Sequence, residues 1–166
     1  MDNFKEQLVR VESNGLYKVA KVFMYVFAVL ALLSLSFFRL TLVAIFGILS
    51  GLLFFFKKEL YVEYEYSLTN GEIDIDKIME MRSRKRIISF HMKEVELLAP
   101  VDSNEYKGFS SKPESIIKAF PKEDKSRQYA AIVTGGGKRL QVLFVPNKEL
   151  LDLCFLYNPK AVKKNI

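Results

Sequence analysis

The densest cluster of charge in the 166-residue chain is Arg82-Ser83-Arg84-Lys85-Arg86. A basic segment close to a membrane gains about 1 kcal/mol per Lys or Arg from anionic lipid. We therefore interpret Arg82, Arg84, Lys85 and Arg86 as candidate contacts for lipid headgroups. The alternatives are an ordinary solvated turn, pairing with acids nearby, and contact with nucleic acid.

Carboxylates crowd one face of a predicted β-hairpin that precedes this cluster. They are Glu63, Glu65, Glu72, Asp74 and Asp76. Ca²⁺ and Mg²⁺ prefer such ligands, but side chains splayed from flat strands rarely converge on one ion, and no calcium-loop spacing is present. The sequence therefore predicts no metal site here, but a solvated acidic face that the basic segment Arg84–Arg86 partly neutralises.

Two other motifs lack what catalysis requires. The run from Thr134 to Arg139, TGGGKR, has neither the spacing nor the following helix of a phosphate-binding loop, so it predicts a hairpin turn. His91 and Cys154 are the only residues of their types, which excludes a Cys/His zinc site within one chain. We expect no catalytic residue, no metal and no cofactor, and therefore a protein that is not an enzyme.

The element that positions these residues is an apolar stretch of 35 residues, Val22–Phe56, which contains one charge, Arg39. As one helix it would be about 52 Å long, whereas the hydrocarbon core of a membrane is about 30 Å thick. Division at Arg39 gives two spans, Val22–Phe38 and Leu40–Phe56. The sequence therefore predicts a two-span hairpin within residues 19–58, with its turn near Phe38–Thr41.

The basic residues around this stretch predict its orientation. Five of them flank the hairpin on the side of the two chain ends, and the turn offers only Arg39; the five are Arg10, Lys18, Lys21, Lys57 and Lys58. The positive-inside rule then predicts a multi-pass protein of the cell membrane with both termini in the cytoplasm. Residues 1–58 carry +4 of the net charge of +6, so the basic balance gives little reason to expect nucleic acid as a partner.

Small residues line one side of the second span, where Ala44 precedes a G-x-x-x-G formed by Gly47 and Gly51. Small side chains let helix backbones approach closely in lipid. The face serves either to pack the two spans together or to bind a protein partner, including a second copy of the chain.

The soluble part begins with residues 1–18, which we expect to form a cytoplasmic leader. It is either a short amphipathic helix presenting Phe4, Leu8 and Val11 or a frayed polar segment. After the spans the period changes to two, and Glu63–Asp76 predicts two strands joined by an Asn70-Gly71 turn. Strands at Ile87–Met92 and Glu94–Leu98 complete a predicted four-stranded antiparallel meander.

Further elements follow towards the C-terminus. Ile116–Phe120 is either a short strand or one helical turn. Gln128–Thr134 and Arg139–Val145 predict a second hairpin. Asn147 is a suitable N-cap for a closing helix, Lys148–Tyr157.

This order of elements resembles a pleckstrin-homology-like (PH-like) domain. The resemblance is carried by EYEYSLTNGEIDID at residues 63–76, by the basic turn Arg82–Arg86 with its following strand and Ala99-Pro100, and by the closing PNKELLDLCFLYNP. With the preceding hairpin, the chain looks like bacterial membrane-anchored PH-like proteins and is similar to an uncharacterised Gram-positive family with two transmembrane spans. The resemblance implies a fold and a tether, and no established activity.

The expected fold class is a membrane α-helical hairpin plus a β-rich PH-like domain, with an antiparallel meander, a second hairpin and a closing C-terminal helix. The PH-like domain is expected at 59–159 and a basic tail at 160–166. We expect a membrane-tethered binding or scaffold module at the inner leaflet, with membrane lipids as partners. The alternatives are an auxiliary subunit held through the hairpin and a membrane-proximal enzyme acting on a lipid or envelope precursor.

Overall fold

The computed structural model describes residues 4–10, 15–109, 113, 115–121, 124–135 and 138–164. The chain forms two compact units. One, Glu12–Val62, contains two long helices, and the other joins Met1–Val11 to Glu63–Ile166 and contains two β-sheets. The sheet unit is therefore built from chain segments on both sides of the helical unit.

The helical unit consists of α1, Gly15–Ser36, and α2, Leu40–Leu60. They have 22 and 21 residues, which corresponds to about 33 and 32 Å. Both are long and apolar enough to cross a membrane. They are longer than the predicted spans because helix continues through the flanking lysines at both open ends.

The turn between the helices lies at residues 37–39, slightly before the predicted position. Phe38 has a positive φ of 52°, and its N–H donates to the Leu35 carbonyl at 3.0 Å. The Arg39 N–H donates to the Ser34 carbonyl at 3.1 Å. These bonds end α1 early, so the prediction that the turn extends to Thr41 was wrong; Thr41 belongs to α2.

Contacts between α1 and α2 include stacked aromatic rings and a hydrogen bond. The rings of Phe27 and Phe46 stack with centroids 6.2 Å apart. The Ser50 hydroxyl donates to the Met24 carbonyl at 3.0 Å. The helices thus pack through a face of α2 that includes Phe46 and Ser50.

The first sheet has the strand order β1-β2-β3-β4. Its strands are β1, Phe4–Val9; β2, Val62–Thr69; β3, Glu72–Met79; and β4, Ser83–His91. β1 pairs antiparallel with β2, from Phe4 opposite Thr69 to Val9 opposite Tyr64. The expectation of an amphipathic helix or a frayed leader was therefore wrong.

The sequence of β1 explains why it forms a strand. FKEQLV alternates between more exposed and less exposed positions, ending with buried Val9. Gln7 donates its amide to the Val145 carbonyl at 2.8 Å and accepts the Asn147 N–H at 2.7 Å. Lys5 forms an ion pair with Glu149. β1 is thus fastened both to β2 and to the corner before the closing helix.

The predicted Asn70-Gly71 turn joins β2 and β3, and both residues have positive φ, 51° and 92°. The prediction of this turn is confirmed. At the end of β4, a 3₁₀ turn at Met92–Glu94 redirects the chain, and His91 caps it by accepting the Lys93 N–H at 3.1 Å. The next strand, β5, Val95–Pro100, consequently belongs to the second sheet, so its assignment to the first meander was wrong.

The second sheet has the order β5-β7-β8-β6. β7, Tyr129–Gly135, and β8, Lys138–Phe144, form the predicted second hairpin. Residues 116–118 form a strand, β6, parallel to β8, which decides between the two alternatives for that segment. A short helix, α3, occupies Asn104–Lys107.

The closing helix α4, Lys148–Tyr157, begins as predicted, because the Asn147 side chain accepts the Leu150 N–H at 2.8 Å. Buried residues from both sheets and α4 form the core: Tyr66, Leu68, Ile73, Ile75, Leu98, Ile132, Val142, Phe144, Leu150 and Cys154. Within it, the Tyr66 ring meets Phe144 edge-on at 5.5 Å.

The segment after α4 is part of the fold. Ala161 and Val162 are buried, and Val162 forms a parallel bridge with Leu98 of β5. The Leu98 N–H donates to the Ala161 carbonyl at 2.9 Å, and the Lys163 N–H donates to the Leu98 carbonyl at 2.8 Å. The boundaries 59–159 expected from the sequence leave out both this segment and β1.

Candidate functional site: the tip and outer face of the first sheet

The hairpin between β3 and β4 ends in residues 80–82, which we call the β3–β4 tip. Glu80 and Met81 both have positive φ, 51° and 56°, and the Arg82 N–H donates to the Met79 carbonyl at 3.1 Å. The Met81 side chain is 64% exposed. A large apolar side chain therefore projects from a turn whose backbone favours Gly or Asn.

The β3–β4 tip lies at one particular end of the first sheet. β2 starts at Val62, directly after α2, and runs towards the Asn70-Gly71 turn; β3 then runs back and ends at Met79. β1 ends at Val9, opposite Tyr64, at the same end. The tip thus lies at the end of the first sheet where β1 ends and β2 begins.

Arg84 and Arg86, two of the four predicted headgroup contacts, lie in β4 and pair with acids. Arg86 donates from Nε to Asp76 Oδ1 at 2.7 Å, and its Nη1 lies 2.9 Å from Asp74 Oδ1. Arg84 pairs with Glu65, and its Nη1 lies 3.8 Å from Asp76 Oδ2. We call the surface that carries these groups the outer face of the first sheet.

Several acids of the outer face are less exposed to solvent than the sequence predicts. Within the predicted segment Arg84–Arg86, neutralisation is confirmed for the two arginines. Glu63, Glu65 and Asp76, however, are buried, with 4%, 8% and 5% of their surface exposed. The half-exposed arginines lie over the carboxylates of Glu65 and Asp76 and remove them from water. Of the alternatives for Arg84 and Arg86, the structure favours pairing with acids.

Burial has an electrostatic consequence for Glu65. Removal from water raises its pKa above the ordinary value, while the charge of Arg84 opposes the shift. Glu6 of β1 and Asp76 add to the increase. The hydrogen bond from Arg86 to Asp76 raises the already high pKa of that guanidinium. The outer face is a tightly paired charge network.

Arg82 and Lys85 are placed differently from Arg84 and Arg86. Side chains alternate along a strand, so Lys85 lies on the opposite face of β4. It faces Lys77 of β3 directly, and like charges in this position destabilise a sheet. In the described part of the chain, no carboxylate lies within 4 Å of Arg82, Lys77 or Lys85. Contact of Arg82 and Lys85 with lipid headgroups stays a prediction.

Comparison with known protein families decides the family. The sequence model described as Bacterial PH-like domain (DUF6106) matches residues 1–164. The chain belongs to this family. No curated protein and no solved structure matches it.

Membership explains the architecture and confirms the predicted fold class. The match begins at residue 1, so it includes β1 and both apolar helices as well as the two sheets and the closing helix. In this bacterial PH-like chain the two helices are inserted between the first and second strands of one sheet.

The glycine run of this bacterial PH-like chain joins two strands. Gly135 lies opposite Lys138, and Gly136 and Gly137 lie outside the described residues. Arg139 pairs with Glu96, whose pKa is lowered by the Thr134 hydroxyl and by Arg139. The prediction of a hairpin rather than a phosphate-binding loop is confirmed.

His91 and Cys154 both contribute to the fold. His91 caps the 3₁₀ turn, and Cys154 is buried in α4, where burial raises the pKa of the thiol to about 12. At neutral pH this thiol stays protonated and unreactive. Among the described residues, no three His, Cys, Asp or Glu side chains are grouped as a metal site requires.

The small face of α2 is open within the helical unit. A Cβ atom added at Gly47 or Gly51 would meet no described atom within 4 Å, and Ala44 is exposed. These residues are therefore not needed for the packing of α1 against α2. Their use by a protein partner stays a prediction.

Sequence reasoning missed three parts of the site: β1, Lys77 and Met81. The alternation in FKEQLV was a usable signal for β1, but its partner strand lies about 60 residues away. The position of Lys77 opposite Lys85 depends on a bulge between β3 and β4, which no local pattern indicates.

Proposed function

We propose that this protein is a non-catalytic binding module held at the cytoplasmic face of the cell membrane, where the β3–β4 tip contacts anionic lipid. The observation that carries the proposal is the pairing of β1 with β2 across the two apolar helices. Strands of one sheet occupy one compartment, so a chain that crosses the membrane between them must return. This supports a two-span hairpin with both ends on one side.

The distribution of bases supports the cytoplasm as that side. Lys57 and Lys58 close α2, and Lys18 and Lys21 lie in the first turns of α1, whereas the turn holds only Arg39. Positive charge near the ends of spans is retained in the cytoplasm. The cytoplasmic leaflet also carries anionic lipid.

The chemistry of the β3–β4 tip supports lipid contact. Arg82, Lys77 and Lys85 would each gain about 1 kcal/mol near an anionic surface. Exposed Met81 would enter the interface between headgroups and acyl chains. Backbone strain retained beside an exposed apolar side chain is a feature that functional sites show.

A lipid test must use the full chain, because a fragment beginning after α2 lacks β1. We would attach an environment-sensitive fluorophore at Met81→Cys and reconstitute the protein in nanodiscs with and without phosphatidylglycerol. The expected result is a blue shift that grows with anionic lipid. The matched control carries the fluorophore at Asn70→Cys, at the other end of the sheet, and should not respond.

Charge reversal then identifies the bases involved. Arg82→Glu with Lys85→Glu should abolish the blue shift, whereas Lys93→Glu, close to the Asn70-Gly71 turn, should leave it unchanged. An unchanged shift in the double variant would contradict lipid contact by the tip. Equal loss in both variants would indicate general attraction and would also contradict it.

A second candidate function is that of an auxiliary subunit held through Ala44, Gly47 and Gly51. The open face of α2 favours this function, since α1 does not fill the space beside either glycine. Gly47→Leu and Gly51→Leu should then release a partner, measured as loss of co-purification from membranes. Retention of the partner in both variants would exclude this face.

A further inference from the structure

A cleft opens between α1 and α2 near the turn of the helical hairpin. It has a volume of about 380 Å³ and is lined by Leu30, Leu33, Ser34, Phe37, Arg39 and Leu42. Four of these side chains are apolar. The Ser34 hydroxyl is already used, since it donates to the Leu30 carbonyl at 2.8 Å. The cleft therefore combines apolar walls with one guanidinium.

The charge of Arg39 is not neutralised within the described parts of the chain. Its side chain makes no capping hydrogen bond to α2, and no described carboxylate lies within 4 Å. Arg84 and Arg86, by contrast, both lie against carboxylates. An unpaired guanidinium beside apolar walls suits a ligand with an anionic group and a hydrocarbon part.

The length of the helices gives the depth of Arg39. Lys57 and Lys58 lie near one end of α2, and Arg39 precedes the other. The helix is 21 residues long, or about 32 Å, which is close to the 30 Å of the hydrocarbon core. If the lysines lie at one interface, Arg39 lies at the phosphates of the opposite leaflet.

We propose that this cleft binds an anionic phospholipid of the leaflet at the turn, with its phosphate paired to Arg39 and one acyl chain between Leu30, Leu33 and Leu42. The proposal rests on the membrane span in the proposed function. The volume of the cleft falls within the range of about 300–1,000 Å³ that is typical of small-ligand pockets.

Native mass spectrometry of the full chain in detergent tests this, with phosphatidylglycerol and phosphatidylcholine added in turn. The phosphatidylglycerol adduct should form about fivefold more readily, because its net charge is not cancelled by choline. Arg39→Gln should remove this preference. Leu33→Trp, which fills the cleft, should weaken both adducts. Lys58→Gln, at the other end of α2, is the matched control and should retain the preference.

Three results would overturn the proposal. One is equal preference in wild type and Arg39→Gln. Another is an unaltered adduct in Leu33→Trp. The third is displacement of the lipid by millimolar inorganic phosphate alone, which would show an anion site without an acyl chain.

A separate measurement distinguishes failure of this site from failure of the proposed function. Carbonate extraction of cell membranes should leave wild type and both cleft variants in the membrane pellet. Release of the wild type by carbonate would contradict the membrane span itself. Retention without a lipid preference would contradict only the cleft.

Discussion

The first sheet contains two turns with the same backbone handedness and opposite surroundings. Asn70 and Gly71 have φ of 51° and 92°, and Glu80 and Met81 have φ of 51° and 56°. Asn-Gly suits this geometry, whereas Glu and Met occupy it at a cost of about 1–3 kcal/mol each. The residues of the Asn70-Gly71 turn thus favour its backbone conformation, whereas Glu80 and Met81 do not favour theirs.

The surroundings explain the difference. The Gly71 carbonyl accepts the Met92 N–H at 2.7 Å, and a Cβ at Gly71 would lie 2.9 Å from Tyr157 Cδ1 and 3.0 Å from His91 Cε1. The Asn70-Gly71 turn is therefore shaped by packing. Met81 is exposed, so its identity is not required by the core. The positive φ of Met81 is therefore retained without a packing requirement, which points to a functional role for its side chain.

The largest expected effect is at the packed turn. Gly71→Val combines a strained backbone with overpacking against Tyr157, and we expect a loss of about 3 kcal/mol in the free energy of unfolding. Thermal unfolding of the detergent-solubilised full chain, followed by circular dichroism, measures it. Met81→Val at the exposed turn should cost less than half as much. Similar losses at both positions would remove the distinction between the turns.

The next effect has the opposite sign. Met81→Gly gives the β3–β4 tip a residue that its backbone favours, so the unfolding free energy should rise by about 1 kcal/mol. A fluorophore at Ser83→Cys should meanwhile respond less to phosphatidylglycerol. A variant that is more stable and equally responsive would show that Met81 has no part in lipid contact.

The smallest expected effect is a pH dependence near the tip. Burial raises the pKa of Glu65, so the folded protein retains a proton that the unfolded chain loses near the ordinary value of 4.5. Stability should therefore fall as the pH rises through and above that value, and Glu65→Gln should reduce this fall.

Glu96 of the second sheet provides the control for this pH dependence. Its pKa is lowered by Thr134 and Arg139, so its contribution to stability is present above pH 4.5 and is lost as the pH falls. Glu96→Gln should therefore alter the pH profile in the opposite sense to Glu65→Gln. Changes of the same sign in both variants, measured by urea unfolding at several pH values, would contradict these assignments.

Local signals in the sequence were sufficient for several elements. The apolar run predicted two helices, Asn70-Gly71 predicted a turn with two positive φ angles, and Asn147 predicted the start of α4. Each of these depends on residues a few positions apart.

Features that depend on distant pairing were not predictable in the same way. β1 is a strand because β2 lies beside it, although 52 residues, from Arg10 to Tyr61, separate them. β5 changes sheet because β7 offers it a partner. Glu65 and Asp76 are buried because arginines of β4 cover them, so alternation alone misjudged their exposure.

The most direct test of the account is a disulfide between β1 and β2 in membranes. Glu6 and Ser67 are opposite each other in register, at a separation of about 4.5–5.5 Å between Cα atoms that a disulfide can bridge. Glu6→Cys with Ser67→Cys should cross-link under mild oxidation in the full chain, while Glu6→Cys with Lys93→Cys should not. Buried Cys154 should not compete. Absence of the Glu6–Ser67 cross-link in a protein that remains membrane-bound would contradict a sheet closed across the two spans.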